Sequence, residues 1–112
     1  MPLKKNRLPL LCRLAGLEVE GEYTFLPPRR FRFDWANKDL KIAVEFEGIP
    51  NFKYGDNKSR HVTLSGYTRD AEKYNLAAAH GWTVLRFTRL SSEAQALELI
   101  ERAVTLKRGK EK

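Results

Sequence analysis

Three acids on neighbouring strand-like segments carry the first chemistry legible in this chain. Phe31, Phe33 and Trp35 alternate with Arg30, Arg32 and Asp34; Ile42, Val44 and Phe46 alternate with Ala43, Glu45 and Glu47. Alternation of period two is the pattern of a strand with one buried face, so Asp34, Glu45 and Glu47 are expected to share the other. Two hairpin registers keep the apolar faces together. A two-residue turn at Asn37-Lys38 sets Asp34 opposite Lys41 and leaves Glu45 roughly 13 Å along the strand. A four-residue loop, Lys38 to Lys41, sets Asp34 opposite Glu45, about 5 Å away. Like charges facing each other destabilise a strand pair. A divalent cation removes that repulsion, and Mg²⁺ takes carboxylate oxygens while keeping waters for a phosphate group. The competing account is a solvated face whose acids pair with Arg30, Arg32, Lys38 and Lys41.

The elements that must position these acids follow from periodicity and breakers. Leu8 to Leu17 has leucines at helical spacing with Pro9 in the first turn. Strands are expected over Glu22 to Leu26, Phe31 to Ala36, Lys41 to Glu47 and Trp82 to Thr88. Residues 49–66 read as a long loop, interrupted by Pro50, Gly55 and Asp56-Asn57. Helices are expected over Tyr67 to His80, closed by Gly81, and from Ser92 to Leu106, where Ser92 and Gln95 have capping-box spacing. The order α-β-β-β-α-β-α predicts an α/β domain. Its mixed sheet has a three-strand antiparallel meander, a fourth strand beside the first, and helices on its faces. Residues 1–106 form one domain and 107–112 a frayed basic tail.

Composition narrows the partners. The 112 residues carry 21 Lys and Arg against 14 Asp and Glu, a net charge of +7. Such an excess on a small domain favours a polyanion, nucleic acid before membrane. The single cysteine, Cys12, excludes an intrachain disulfide and fits a reducing compartment; its apolar surroundings mark a buried, inert thiol. No segment has transmembrane length, and the start lacks the pattern of a signal peptide, so a cytoplasmic, nucleoid-associated protein is expected. Phosphate-binding glycine loops, dinucleotide fingerprints, HExxH and cysteine-based zinc spacings are absent from the sequence, so no nucleotide cofactor is expected. Lys53, Lys58 and Arg60 in the long loop, with Arg29, Arg30 and Arg32 beside the acids, suit contact with a nucleic-acid backbone.

Taken in order, FRFDWA, AVEFEG, RH, GYTRDAEKYN and GWTVLRFT resemble the small phage and bacterial nucleases of the PD-(D/E)XK superfamily. More narrowly, they resemble the branch near the very short patch repair endonuclease. The resemblance spans Glu22 to Thr88. It implies a restriction-endonuclease-like core and a Mg²⁺-dependent phosphodiesterase, with Mn²⁺ as a substitute. Asp34 and Glu45 would ligate the metal together with the backbone carbonyl of Phe46. Glu47 stands where the family has a lysine. His61, at the end of the long loop, or Lys73, on the following helix, would replace that lysine. Glu22 would be an extra upstream acid, with Glu20 as runner-up. The resemblance further implies DNA as partner, in branched form, and a homodimer like that of Holliday junction resolving enzymes; the long loop and the N-terminal helix are the expected contacts. A mismatch-directed or nicking endonuclease is the second reading, and a non-catalytic DNA-binding module the third.

Overall fold

The computed structural model describes residues 2–48 and 64–109. A 3-10 turn, Lys5–Arg7, leads into α1, Leu8–Leu14. Strands β1 (Glu20–Thr24), β2 (Arg32–Asn37) and β3 (Ile42–Phe46) follow, then α2 (Leu64–Ala79), β4 (Thr83–Phe87) and α3 (Glu93–Gly109). The four strands form one mixed sheet in the order β1-β2-β3-β4. β1, β2 and β3 are antiparallel neighbours, and β4 runs parallel to β3.

The expected place of the fourth strand, beside the first, is therefore corrected: β4 lies beside β3. The reason is physical. The α2 crossover returns the chain to the strand it left. The apolar TVLRF segment gains burial next to β3, whereas β1 is an exposed polar edge strand.

The hairpin register is the one with the longer loop. Trp35 pairs with Val44, Ala36 with Ala43 and Asn37 with Ile42. Carried one residue further, the same register faces Asp34 with Glu45. Asn37 selects it: its Oδ1 accepts the Leu40 N–H at 2.8 Å, and Lys41 closes the loop with φ of 55°. An Asx-type turn of this kind lengthens the loop to four residues.

Both faces of the sheet are covered. On one, Ile42 and Val44 pack with Leu8, Leu11 and Cys12 of α1 and with Ile100 and Val104 of α3. On the other, Phe33, Ala36 and Ala43 pack with Phe25, Trp82 and Ala77 of α2. One consequence corrects the expected alternation of β2. Phe33 lies in the second cluster while Trp35 packs against the first. The β2–β3 ladder ends at Trp35–Val44, and the Asp34 carboxylate takes the Phe46 N–H at 2.8 Å. Beyond that point β2 pairs with β1 alone, and Phe33 stacks on Phe25 with ring centroids 4.3 Å apart.

Several boundaries differ. β1 runs over Glu20–Thr24, two residues earlier than the expected Glu22 to Leu26. Leu64 to Gly66, expected in the loop, belong to α2. α1 ends at Leu14 rather than Leu17. α3 continues to Gly109, so the start of the expected tail is helical: Lys107 Nζ donates to the Gly81 carbonyl at 2.8 Å and Arg108 to that of Gly16 at 3.4 Å. Basic side chains in a last turn are favoured by the helix dipole, and these two also tie the helix end to neighbouring loops.

Candidate functional site

Glu45 is the one buried charged side chain among the described residues, with 6% of its surface exposed. A carboxylate taken out of water is costly unless paired and hydrogen-bonded. α2 supplies both conditions. Lys73 Nζ lies 2.8 Å from Glu45 Oε2, and the Tyr74 hydroxyl donates to Oε1. Lys73 and Tyr74 are consecutive, and Tyr74 stands one turn after Asp70, so this helix flank faces the acids. Burial pushes the Tyr74 phenol far above its ordinary range, and the bond to Glu45 adds to the shift. Tyr74 is therefore a fixed donor and not a base.

Asp34 and Glu47 flank Glu45. Asp34 receives the Phe46 N–H on Oδ2, and its Oδ1 lies 3.6 Å from Lys5 Nζ. Glu47 accepts from Arg86, with the Tyr74 hydroxyl 3.4 Å away. Arg86 comes from β4, where the parallel register pairs it with Glu45. Its guanidinium lies 4.2 Å over the Tyr74 ring, and the hydrogen bond to Glu47 holds it firmly charged. Asp34, Glu45, Phe46, Glu47, Gly48, Asp70 and Tyr74 line one open cleft of about 300 Å³. No partner of the three acids is one of the cations expected from the strands themselves. Arg32 pairs with Glu22, and Lys41 donates to the His80 carbonyl.

The expected site residues divide accordingly. Asp34, Glu45, Phe46 and Glu47 come together, and Lys73 joins them from α2. Glu22 does not line the cleft; the β1–β2 register sets it across from Asp34, but its side chain is exposed and 3.6 Å from Arg32. Arg29 is committed to Glu72 at 2.7 Å. His61, Lys53, Lys58 and Arg60 lie outside the described residues. Tyr74, Arg86, Asp70 and Lys5 are additions. Tyr74 and Asp70 share the flank that holds Lys73, so helical spacing carried a signal for them. Arg86 was hidden by the misplaced fourth strand. No local pattern in the sequence points to Lys5.

Among the described residues, no three His, Cys, Asp or Glu side chains meet as a metal-binding group. The donor set is two carboxylates, Asp34 and Glu45, beside the Phe46 backbone. That set fits Mg²⁺, which is often held by one or two carboxylates with water and substrate oxygens completing the shell. Each Glu45 oxygen keeps a second lone pair beyond the bonds to Lys73 and Tyr74. No helix among the described residues is long and apolar enough to cross a membrane. Comparison of the chain with protein-family models, with curated proteins and with solved structures gives no match in any of the three.

Proposed function

We propose that this chain is a Mg²⁺-dependent endodeoxyribonuclease on a restriction-endonuclease-like core, cutting branched DNA as a homodimer. The observation that carries the reading is Lys73 Nζ at 2.8 Å from the buried Glu45. With Asp34 lining the same cleft, two acids and a cation stand together. Lys73, from α2, would take the part of the lysine missing at position 47.

Asp34, Glu45 and the Phe46 carbonyl would hold Mg²⁺, which when bound supplies Lewis-acid polarisation of the phosphate and lowers the pKa of a coordinated water. The chain's own residues do the rest. Tyr74 and Lys73 fix both Glu45 oxygens, so the carboxylate meets the substrate in one orientation. Lys73 places positive charge beside the reacting phosphate, where charge develops as water adds to phosphorus. As the water oxygen bonds to phosphorus its proton passes to solvent, the phosphorus–oxygen bond to the leaving sugar breaks, and that oxygen takes up a proton from solvent. Arg86 and Tyr74 hold Glu47 at the rim, where it accepts hydrogen bonds and orients the attacking water.

Cleavage of a labelled four-way junction beside linear and mismatched duplex tests the substrate. Paired symmetric cuts confined to the junction and dependent on Mg²⁺ are expected. Cuts in mismatched duplex by a monomer would move the reading to repair-type nicking. Junction binding without cleavage under any divalent ion would leave a binding module.

A further inference from the structure

α2 has a second working flank. Ser65, Thr68, Arg69 and Glu72 recur at one-turn spacing and face a cleft of about 1000 Å³ closed on its other side by Arg29, Arg30 and Phe31. Asp70, Lys73 and Tyr74 occupy the neighbouring flank toward the acids. The cleft holds three guanidinium groups and one carboxylate. Arg29 is neutralised by Glu72 at 2.7 Å and lies 4.6 Å over the Phe31 ring. Arg30 and Arg69 are exposed and have no carboxylate partner among the described residues. Arg30 also lines a second, smaller cleft with Arg32, so basic groups continue past the first. A wide, open, cationic trough of this kind matches an extended polyanion better than a single small anion.

We infer that this cleft holds the sugar–phosphate backbone of a DNA strand, with Arg30 and Arg69 as the phosphate contacts and the Arg29–Glu72 pair, stacked on Phe31, as the wall that spaces them. The inference rests on the reading above that DNA is the substrate. It adds where the strand runs: along α2, so that one helix carries Arg69 to the backbone and Lys73 to the reacting phosphate. Such contacts position without reading sequence, which suits selection by shape.

The test is equilibrium binding of a fluorescein-labelled four-way junction in EDTA across a salt series, with cleavage in Mg²⁺ measured alongside. The proteins are wild type, the double variant Arg30→Ala/Arg69→Ala, and Arg30→Lys/Arg69→Lys. Loss of two phosphate contacts should reduce the slope of log K against log salt by about 1.4–1.8 and weaken binding at least about tenfold near 0.1 M salt. The lysine variant should keep the wild-type slope. Unchanged slope and affinity in the alanine variant, with wild type binding and cutting, would overturn this site and leave the endonuclease reading standing. The expected slope change with no cleavage by wild type would support the site and overturn the endonuclease. Absence of junction binding by wild type would overturn the site.

Discussion

At the scale of single residues, Glu45 decides the account. A strand buried on both faces is best filled by apolar side chains, as its neighbours Ala43 and Val44 are. A carboxylate there is stable only because Lys73 and Tyr74 satisfy it, and buried ionisable groups held in a cleft are candidates for chemistry. Removing Lys73 leaves the charge uncompensated. Lys73→Met should therefore cost about 3 kcal/mol in urea unfolding, and pairing it with Glu45→Gln should recover most of that loss; equal loss in both variants would contradict the pairing. Cys12 provides a pH test of the core. Burial raises its thiol from 9.0 to about 11. Below pH 9 both folded and unfolded chains keep the proton, and the full stability is present. Between pH 9 and 11 the unfolded chain loses it first, so stability falls as pH rises, by up to about 3 kcal/mol. Unfolding of Cys12→Ala should show a flatter alkaline limb over that window; an identical limb would place the titration elsewhere.

At the scale of elements, the sequence was most legible where local chemistry decides and least where pairing partners decide. The Ser92 half of the expected capping box is present, with Ser92 Oγ accepting the Gln95 N–H at 3.0 Å. Gly81 adopts φ of +84° after α2. Ser92→Ala should cost about 1 kcal/mol. Gly81→Ala should cost about 1–2 kcal/mol, since an L-residue is strained at that φ whatever space its Cβ finds. Thermal melts check both; no shift for either would mean the caps are dispensable. The hairpin register was not decidable from alternation, because two loop lengths preserve the same faces. Asn37 decides it through one hydrogen bond that composition does not announce. The order of strands is not legible for a related reason: a fourth apolar strand suits either edge of a meander, and only the α2 crossover sets it beside β3. Arg86 went unseen with it. The site's acids were readable because they interrupt apolar strands. Their partners were less so, because they come from α2, β4 and the N-terminal turn.

At the scale of the molecule, the sheet works as a platform with two clefts on either flank of α2, one acidic and one basic. Opposed fields of this sort suit a polyanion that must approach a carboxylate site: under the proposed function the arginine trough would attract the backbone, and Lys73 with a bound cation would supply the countercharge of the acids. α1 buries Leu8, Leu11 and Cys12 in the core and leaves Leu14 exposed on its outer face. Sedimentation at micromolar concentration should show twice the chain mass, as paired cuts require; a monomer would leave nicking as the better reading. The most direct measurement is the single-turnover rate of junction cleavage at saturating Mg²⁺ for wild type, Asp34→Ala and Lys73→Ala, with junction affinity measured for each. The account predicts a loss of about 10²–10³ or more for both variants, with affinity retained within a few-fold. Cleavage by both variants at the wild-type rate would show that this carboxylate–lysine cleft is not where the phosphodiester is broken.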